Sequence, residues 1–468
     1  MARADYEHLS RDQLLDVIER LEARIATLEA RIKQLEDLLD QAMRGGKRQA
    51  APFSKGPLKC EPQPPGRKPG DAYGRHAHRE APSSPPDQII DVPLPNVCPD
   101  CGGTIRAEAV VHQHQIEIPR RPIHRRFDLP VGRCRDCGRR VQPRQPLQTS
   151  DAIGAAACQL GPNAQTTVAL MKNRYGLSYG DIVGLFQDVF GIPLSPGGAA
   201  RAVQRVATRA EPVFAHLATR IRRSQAVCPD ETGWKVNGWL HWLWTFVTDH
   251  ATLYVIRPSR GRDVLDEVLG RDYAGAMTHD GWAVYDGLTQ ARHQQCLAHL
   301  LRRAKLLIEQ APPWRRRFPA QVRRLLQDAL ALRRRVDVAD ITVHGLAVAR
   351  GRLERRLDRL LRRRPRHDAQ RRFADHLIRH RLELLWFLYE LDLEATNWRA
   401  EQAIRPAVVN RKVFGGNRTP AGAHALEVLA SFFATCRQQA HDAFDTLSTL
   451  LHRPPAADLR SIPLPVPA

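Results

Sequence analysis

The chain is 468 residues long and 43% hydrophobic, which is enough for two or more domains with buried cores. Its 71 lysines and arginines against 50 acids give a formal net charge of +21, which favours a polyanionic partner such as nucleic acid, although solvated arginine-rich helix faces would produce it too. No stretch is apolar enough to span a bilayer and the N-terminus lacks a signal peptide's apolar core, so we expect a cytoplasmic protein without a membrane partner.

Residues 10–43 have the heptad pattern of a coiled coil. One heptad position is leucine throughout, and the other is isoleucine followed by a final leucine: Leu14, Leu21, Leu28, Leu35; Ile18, Ile25, Ile32, Leu39. Isoleucine at a with leucine at d favours a parallel two-stranded coil and hence a homodimer or a larger assembly, with packing onto its own chain as the alternative. Ser10 and Gln13 predict a capping box at the start of the helix.

Residues 44–90 form a basic, Pro/Gly-rich segment with too little apolar surface for a core. Its composition is typical of a linker. It serves either as a plain tether or as a segment that contacts the DNA backbone.

Residues 91–148 contain two Cys-x-x-Cys pairs, Cys98 with Cys101 and Cys134 with Cys137. Two such pairs across a short β segment suit a tetrahedral thiolate site, so we predict a zinc-binding domain with one structural Zn²⁺. The segments "HQIEIP" and "HRRFDLPVG" between the pairs are strand-like. The other five cysteines are expected to be reduced thiols: Cys60, Cys158, Cys228, Cys296, Cys436.

Residues 150–224 have helical periodicity, with Ser178 and Ser195 as predicted N-caps. Two amphipathic helices around a Gly/Pro turn indicate either a helix-turn-helix, with a helix from about Pro196 to Thr208 in a major groove, or an ordinary packed pair.

From residue 225 the pattern changes to strands. Three strand candidates ("SQAVCPDE", "GWLHWLWTFVTD", "TLYVIRP") precede a helix, a strand ("GAMTHD"), a short helix, and a strand that enters a helix ("RHQQCLAHLLRRAK"). This order predicts a mixed sheet with helices against it in residues 225–300, within a multidomain α+β protein. Residues 301–392 are then almost wholly helical and rich in arginine. Residues 393–452 resume with "LEATNWRAEQAIRP" and end in a helix from about Pro420 to Ala440, before a loose tail at 453–468.

Three acids are candidate metal ligands. Asp230 and Asp280 follow apolar strands, and Glu401 lies on a helix that begins at Thr396 or Asn397. Carboxylate oxygens suit Mg²⁺ or Mn²⁺, and two such ions can activate a nucleophile and stabilise a leaving oxygen in phosphoryl transfer. Any one of these acids, taken alone, is more often a surface residue without a functional role.

Basic residues follow the third acid. Arg405 lies one turn beyond Glu401, and Arg411, Lys412 and Arg418 surround a Gly-Gly turn that precedes a helix with Thr419 as N-cap and Pro420 as N1. The turn is either a phosphate-binding helix N-terminus or a plain glycine turn.

One further pair, Cys296 and His299, has Cys-x-x-His spacing. No second pair matches it, so a structural or phosphate-adjacent role for His299 is favoured over a second zinc site.

Five ordered blocks together carry a resemblance to a known family: "PDETGWKVNGWLHWLWTF", "GAMTHDGWAVYDG", "RHQQCLAHLLRRAK", "TNWRAEQAIRP" and "RKVFGGNRTPAGAHALEVLASFFATCRQQ". With them, the coil, the linker and the paired cysteines, nearly the whole chain resembles the insertion sequence 66 family of bacterial transposases. The resemblance implies a ribonuclease-H-like core with an Asp-Asp-Glu triad. Asp230, Asp280 and Glu401 occupy its positions, Glu231 is supporting, and the helical stretch before Glu401 is an insertion.

The function implied is DNA transposition in the bacterial cytoplasm, on the nucleoid when bound. The protein would bind terminal inverted repeats as a dimer or larger assembly. With Mg²⁺ or Mn²⁺, two ions per active site, it would nick the DNA to free a 3′ hydroxyl and join that hydroxyl to target DNA without a covalent protein–DNA intermediate. Accessory proteins of the same element are plausible partners. The alternatives are a domesticated or inactive DNA-binding regulator, and a metal-dependent nuclease without strand transfer.

Overall fold

The computed structural model describes residues 10–46, 82–148 apart from 94, 117, 119, 120, 144 and 146, and 159–452. It divides the chain into two units, Met1–Pro119 and Arg120–Ala468. The predicted linker lies partly, and the predicted tail at 453–468 wholly, outside the described residues, as do Cys60 and Cys158. No helix within the described ranges has the length and apolarity needed to cross a membrane.

The first unit contains one long helix, α1 (Arg11–Gly46). The predicted capping box is confirmed, since the backbone N–H of Ser10 donates to Gln13 Oε1 and that of Gln13 donates to Ser10 Oγ. The apolar seam of α1 faces outward, and Leu28 and Ile32 are each 55% exposed. Such a seam is available to a partner helix.

The second unit contains eleven helices and seven short or medium strands within the described residues. The strands are β1 (Gly132–Arg133), β2 (Arg140–Val141), β3 (Ala226–Val236), β4 (Trp239–Val247), β5 (Thr252–Arg257), β6 (Ala276–His279) and β7 (Arg292–Gln295). The helices are α2 (Pro162–Asn173), α3 (Tyr179–Phe190), α4 (Pro196–Arg222), α5 (Arg262–Val268), α6 (Leu297–Gln310), α7 (Arg317–Asp337), α8 (Val343–Arg362), α9 (Asp368–Arg379), α10 (Trp398–Phe414), α11 (Pro420–Gln438) and α12 (Ala443–His452).

The predicted mixed sheet is confirmed. Its five strands lie in the order β5-β4-β3-β6-β7, with β3, β4 and β5 antiparallel and with β6 and β7 parallel to β3. The β3–β4 hairpin turns at Asn237 and Gly238, whose φ angles of 51° and 80° are those that a two-residue hairpin loop requires. Strand β3 pairs with β6 through Ala226 and Val227 only, and its remainder pairs with β4.

Local sequence signals fix several helix ends as predicted. Ser178 forms a capping box with Asp181 at the start of α3, Ser195 accepts the Gly198 N–H at the start of α4, and Thr419 caps α11.

Three expectations about element bounds were wrong. Helix α4 continues to Arg222 rather than ending near Thr208, because its apolar face stays buried against α2 and α11 along its whole length. The final helix ends at Gln438, and a further helix, α12, follows it. The described parts of "HQIEIP" and "HRRFDLPVG" lack strands apart from Gly132 at the end of the second, because no neighbouring chain pairs with their backbone.

Two hydrophobic cores organise the described part of the second unit. One lies between the sheet and helices α2, α3, α4, α5, α11 and α12, with Trp244 and Phe246 fully buried. The other joins α6, α7, α8 and α9 around side chains such as Leu325 and Phe373. The helices between β7 and α10 therefore have a core of their own.

Candidate active site

Asp230 and Asp280 occupy matching positions on neighbouring parallel strands. The register pairs Val227 with Met277, and extending it by three residues sets Asp230 beside Asp280, just past the end of β6. The expectation that Asp230 ends its strand was wrong, because β3 runs on to Val236 as part of the hairpin with β4. Asp230 nevertheless lies beyond the last residue of β3 that pairs with β6, so both acids stand at the same edge of the parallel part of the sheet.

The Asp230 carboxyl lacks a compensating positive charge. Burial, then the neighbouring Glu231, and to a smaller extent Asp280 and Glu401 together raise its pKa to about 7. Its Oδ1 accepts the Glu231 backbone N–H, and Asp280 Oδ1 accepts the Trp282 N–H, but neither acid forms an ion pair with a described residue. A cluster of buried carboxyls of this kind suits a bound cation, because burying negative charge without a partner is costly.

Glu231, in contrast, is already neutralised. Its buried carboxylate accepts two hydrogen bonds from Arg260, at 2.7 and 3.0 Å, and one from Tyr285 Oη at 2.9 Å. Burial still raises the pKa of Glu231, while the bonds from Arg260 and Tyr285 oppose that rise. The Arg260 guanidinium lies over the rings of Trp282 and Trp242, at 4.0 and 4.6 Å from their centroids. Glu231 is therefore engaged in structure, in agreement with the supporting role predicted for it.

Glu401 lies in the first turn of α10 and is held by Arg302 of α6, with His299 of the same helix nearby. Arg302 Nη2 is 2.5 Å from Glu401 Oε1, and His299 Nε2 is 3.6 Å from the same atom. Over the described ranges, no group of three or more His, Cys, Asp or Glu side chains is arranged so that it could hold a metal ion. A metal ion shared with the two aspartates would require the Glu401 carboxylate to leave Arg302.

Asn397 links the strand of the first acid to the helix of the third. It immediately precedes α10, is 1% exposed, and donates through Nδ2 to the Pro229 carbonyl at 2.8 Å. Its backbone N–H donates to Cys296 Sγ at 3.1 Å, and its Oδ1 is buried without a hydrogen-bond partner. Because Pro229 adjoins Asp230, this side chain fixes the distance between β3 and the start of α10. Cys296 is a free, buried cysteine, as expected of a reduced thiol.

A chain of hydrogen bonds through two histidines holds the loop of the second acid. The Gly281 N–H donates to His279 Nδ1 at 3.1 Å, His279 Nε2 lies 3.0 Å from His293 Nδ1, and His293 Nε2 lies 3.0 Å from the Leu288 carbonyl. Each link has one donor and one acceptor only when both imidazoles are neutral. Burial lowers the pKa of His279 to about 3, which keeps it in that form.

Gly281 itself has no room for a side chain. Its φ is +87°, and an added Cβ would lie 2.3 Å from Gln295 Oε1 and 3.1 Å from His376 Cε1. Glycine at this position therefore lets the Asp280 loop pack closely on β7 and α9.

The four predicted DNA contacts have different environments. Arg405, Lys412 and Arg418 are exposed. Arg411 is partly buried and donates to Thr232 Oγ1 at 3.2 Å and to the Gly233 carbonyl, so it ties α10 to β3.

The Gly-Gly turn packs against the hairpin. An added Cβ at Gly416 (φ +119°) would lie 2.3 Å from the Lys235 carbonyl oxygen, and the Asn417 N–H donates to that carbonyl at 2.8 Å. Close backbone packing therefore explains Gly416, and Gly415 is the left-handed C-cap of α10, with a φ of 75°.

The two Cys-x-x-Cys pairs have the same local backbone. In each, a glycine four residues after the first cysteine donates to that cysteine's carbonyl, Gly102 to Cys98 at 2.8 Å and Gly138 to Cys134 at 3.0 Å. Both glycines have positive φ, 73° and 66°. Backbone N–H groups inside each turn lower the pKa of Cys98 and of Cys134. Each turn therefore favours a thiolate, the form that binds zinc.

Sequence reasoning missed several residues around the acids. Trp282 and Tyr285 stand in the same block as Asp280, so that block contained a signal for them. Arg260 and Arg302 lie in arginine-rich surroundings, where nothing in the local pattern distinguishes them from solvated arginines.

Comparison with known proteins identifies the family of the chain. The family described as "Transposase IS66 family" matches residues 157–425, which is more than half of the chain and includes all three acids. No curated protein matches the chain. A match of this extent shows that the chain belongs to the IS66 family of transposases.

Proposed function

We propose that the protein is the DNA transposase of an insertion element, with Asp230, Asp280 and Glu401 as its metal-binding triad. The observation that carries this proposal is the register of β3 and β6, which sets two otherwise unpaired acids side by side, with a third on the adjoining helix. Isolated acids at strand ends are common, but a carboxyl whose pKa is raised by burial and by neighbouring acids, as that of Asp230 is, is typical of functional sites.

A ribonuclease-H-like core accounts for the sheet. The central strand β3 has the antiparallel strands β4 and β5 on one side and the parallel strands β6 and β7 on the other. Helices α6 to α9 lie in the chain between β7 and α10, the helix of Glu401. This arrangement supports the expected division into a core in two parts, residues 225–300 and 393–452, and a helical insertion at 301–392.

The residues present fit divalent metal. Their donors are carboxylate oxygens, which Mg²⁺ and Mn²⁺ prefer, and neither aspartate has a competing cation. Two ions bound there would supply a Lewis acid and a water of lowered pKa for in-line attack on a phosphodiester. Glu231 is excluded from this ligand set by its bonds to Arg260 and Tyr285.

The chain's own residues position the ligands. Asn397 fixes β3 against α10, and the His279–His293 pair fixes the loop after Asp280. Arg302 forms an ion pair with the Glu401 carboxylate in this structure. When that carboxylate turns towards the aspartates, Arg302 becomes available to contact a DNA phosphate. The attacking groups are water and then a DNA 3′ hydroxyl, so no covalent protein–DNA intermediate forms.

The remaining parts hold DNA and subunits. The helical region 150–224 and a zinc domain, with one Zn²⁺ on Cys98, Cys101, Cys134 and Cys137, recognise the terminal inverted repeats in this proposal. Arg405, Lys412 and Arg418 contact DNA near the site. The exposed seam of α1 joins two copies, so that both element ends are held together. Accessory proteins of the element are further partners.

The test uses labelled element-end DNA, a target plasmid and Mg²⁺. The wild-type protein should give joined product, and Asp280→Asn should keep end binding while losing cleavage and joining. Asp286→Asn is a matched control, because Asp286 lies six residues away in the same segment and outside the triad. Cleavage without joining would indicate a nuclease, binding alone would indicate a regulator, and joining by Asp280→Asn would refute the triad.

A further inference from the structure

The helices between β7 and α10 are unusually basic. Residues 301–392 make up about a fifth of the chain but contain about a third of its 71 lysines and arginines, and only about a fifth of its 50 acids. A surplus of this kind can be spread evenly and solvated, or collected on one surface. Its distribution over the helices distinguishes these two cases.

Helix α8 collects it on one face. At about 100° per residue, four arginines of α8 and its C-cap Arg363 fall within an arc of about 100°, opposite the buried Leu353, Leu357 and Leu361. These five, called here the α8 arginine row, are Arg352, Arg355, Arg359, Arg362 and Arg363. The row covers about 16 Å along the helix axis and contains no acid.

The row is exposed and without partners in the described part of the chain. None of its members forms a hydrogen bond or ion pair there. The nearest acid, Asp358, is already bound by two hydrogen bonds from Arg381, at 2.5 and 2.9 Å, and Arg362 adds only a weaker lowering of the Asp358 pKa. Like charges three and four residues apart destabilise a helix, and the attraction of Arg362 to Asp358 and the position of Arg359 and Arg362 in the last turn oppose that cost.

Solubility alone does not explain such a row. The exposed faces of α1 mix acids with arginines along their whole length, as in "DVIERLEARIATLEARIKQLED". Some exposed arginines of the insertion are paired, for example Arg335 with Asp340 and Arg371 with Asp368, while others, such as Arg323 and Arg324, are not. The row differs from both groups because it places five unpaired arginines along one face of one helix.

The row is fixed with respect to the sheet. Glu354 accepts a hydrogen bond from Tyr389, and Asp358 accepts from Arg381, which joins α8 to the segment 381–389. In that segment Glu383 accepts from Gln295 at 2.6 Å, at the end of β7. A ligand held on the row would therefore keep a constant position relative to the acids.

From these observations we propose that the α8 arginine row binds the phosphate backbone of double-stranded DNA. The proposal rests on the transposase function and adds to it a surface that holds DNA outside the metal site. A regular line of unpaired guanidinium groups is complementary to a polyanion with one charge per about 1.7 Å of duplex axis. Each arginine that neutralises a phosphate releases condensed counterion, so the contact has a measurable salt dependence.

The experiment measures binding of the full chain to a fluorescent duplex of arbitrary sequence, in chelator, over a range of KCl concentrations. The row variant changes Arg352, Arg355, Arg359 and Arg363 to Gln. It should flatten the slope of log K against log salt by about 2 to 3.6 and weaken binding at least about tenfold at about 100 mM KCl.

The matched control changes four ion-paired, exposed or half-exposed arginines of the same insertion to Gln: Arg335, Arg356, Arg364 and Arg371. It removes the same formal charge, so a slope change no larger in the row variant than in this control would overturn the proposal. An Arg→Lys version of the row keeps the charge and should keep the slope, and a loss of slope there would also contradict the proposal. The same titration with polyglutamate in place of DNA is a further control. If the row variant weakened binding to polyglutamate but not to DNA, that result would also contradict the proposal.

The measurement is independent of catalysis. Because it is made without divalent metal, an unchanged slope would refute the row while leaving cleavage by Asp230, Asp280 and Glu401 intact. If the wild type showed no metal-dependent cleavage, the catalytic proposal would be refuted, while the slope of log K against log salt would be unaffected.

Discussion

Replacing Asn397 by alanine should affect activity far more than stability. The Asn397 side chain is 1% exposed and donates to the Pro229 carbonyl at 2.8 Å, next to Asp230. Loss of that donor costs about 1–3 kcal/mol of unfolding free energy, partly offset because Asn397 Oδ1, itself buried without a partner, is removed too. We expect a net loss of about 1–2 kcal/mol in a urea titration.

The effect on the reaction follows from geometry. Asn397 joins the strand of Asp230 to the helix of Glu401, so its loss lets the two carboxylates shift relative to each other. A displacement of about 1 Å at a reacting centre costs on the order of 10²-fold in rate. Strand transfer per folded molecule should fall by about that factor in Asn397→Ala, and the Mg²⁺ concentration for half-maximal rate should rise.

The control is Asn417→Ala, which removes two side-chain hydrogen bonds, to Trp234 Nε1 at 2.8 Å and to the Gly422 carbonyl at 3.0 Å, away from the acids. Asn417→Ala should lower the free energy of unfolding at least as much as Asn397→Ala does, but its loss of activity per folded molecule should be smaller. Equal activity losses in the two variants, or an unchanged Mg²⁺ dependence in Asn397→Ala, would refute the positioning role.

Three further predictions concern other parts of the structure. Gly281→Ala should cost about 2–4 kcal/mol of unfolding free energy, because φ is +87° and the new Cβ meets Gln295 Oε1 at 2.3 Å. In chelator, the unfolding free energy of the wild type should fall relative to that of Asp230→Asn, by up to about 4 kcal/mol, as the pH rises from about 4 to about 7. The folded Asp230 carboxyl keeps its proton until about pH 7, whereas the unfolded chain releases it near pH 4, so ionisation disfavours the folded state. Metal analysis should find about one zinc per chain, absent from a variant with Cys98 and Cys134 changed to Ser.

Each of these has a result that would contradict it. Gly184→Ala is the control for Gly281, since an added Cβ there meets nothing within 4 Å, and equal effects at the two glycines would count against steric exclusion. Parallel pH profiles for the wild type and Asp230→Asn would show that the Asp230 pKa is not raised. Undiminished zinc in the double serine variant would place the metal elsewhere.

The sequence was most informative where a signal is local. Ser178, Ser195 and Thr419 are followed by helical periodicity, and each caps a helix as predicted. The alternation of strands and helices predicted the mixed sheet, because each period is read from side chains that are neighbours in the chain. Apolar strands ahead of Asp230 and Asp280 identified the two acids as candidates.

Contacts between residues far apart in the chain could not be predicted from the sequence. The Arg302–Glu401 ion pair joins residues 99 positions apart, and the bond from Asn397 to the Pro229 carbonyl spans 168. Nothing in one sequence specifies which of many arginines meets a given acid. The end of β3 was predicted too early for a related reason. The strand continues past Asp230 to Val236, because it pairs there with β4 across the Asn237–Gly238 turn.

The account depends on Glu401 joining Asp230 and Asp280 around metal. The most direct measurement is an experimental structure with element-end DNA and Mn²⁺, in which anomalous scattering locates the ions. The account predicts manganese bound by all three carboxylates, with Arg302 released from Glu401. Manganese on the two aspartates with Glu401 still paired to Arg302, in the DNA-bound assembly, would contradict it.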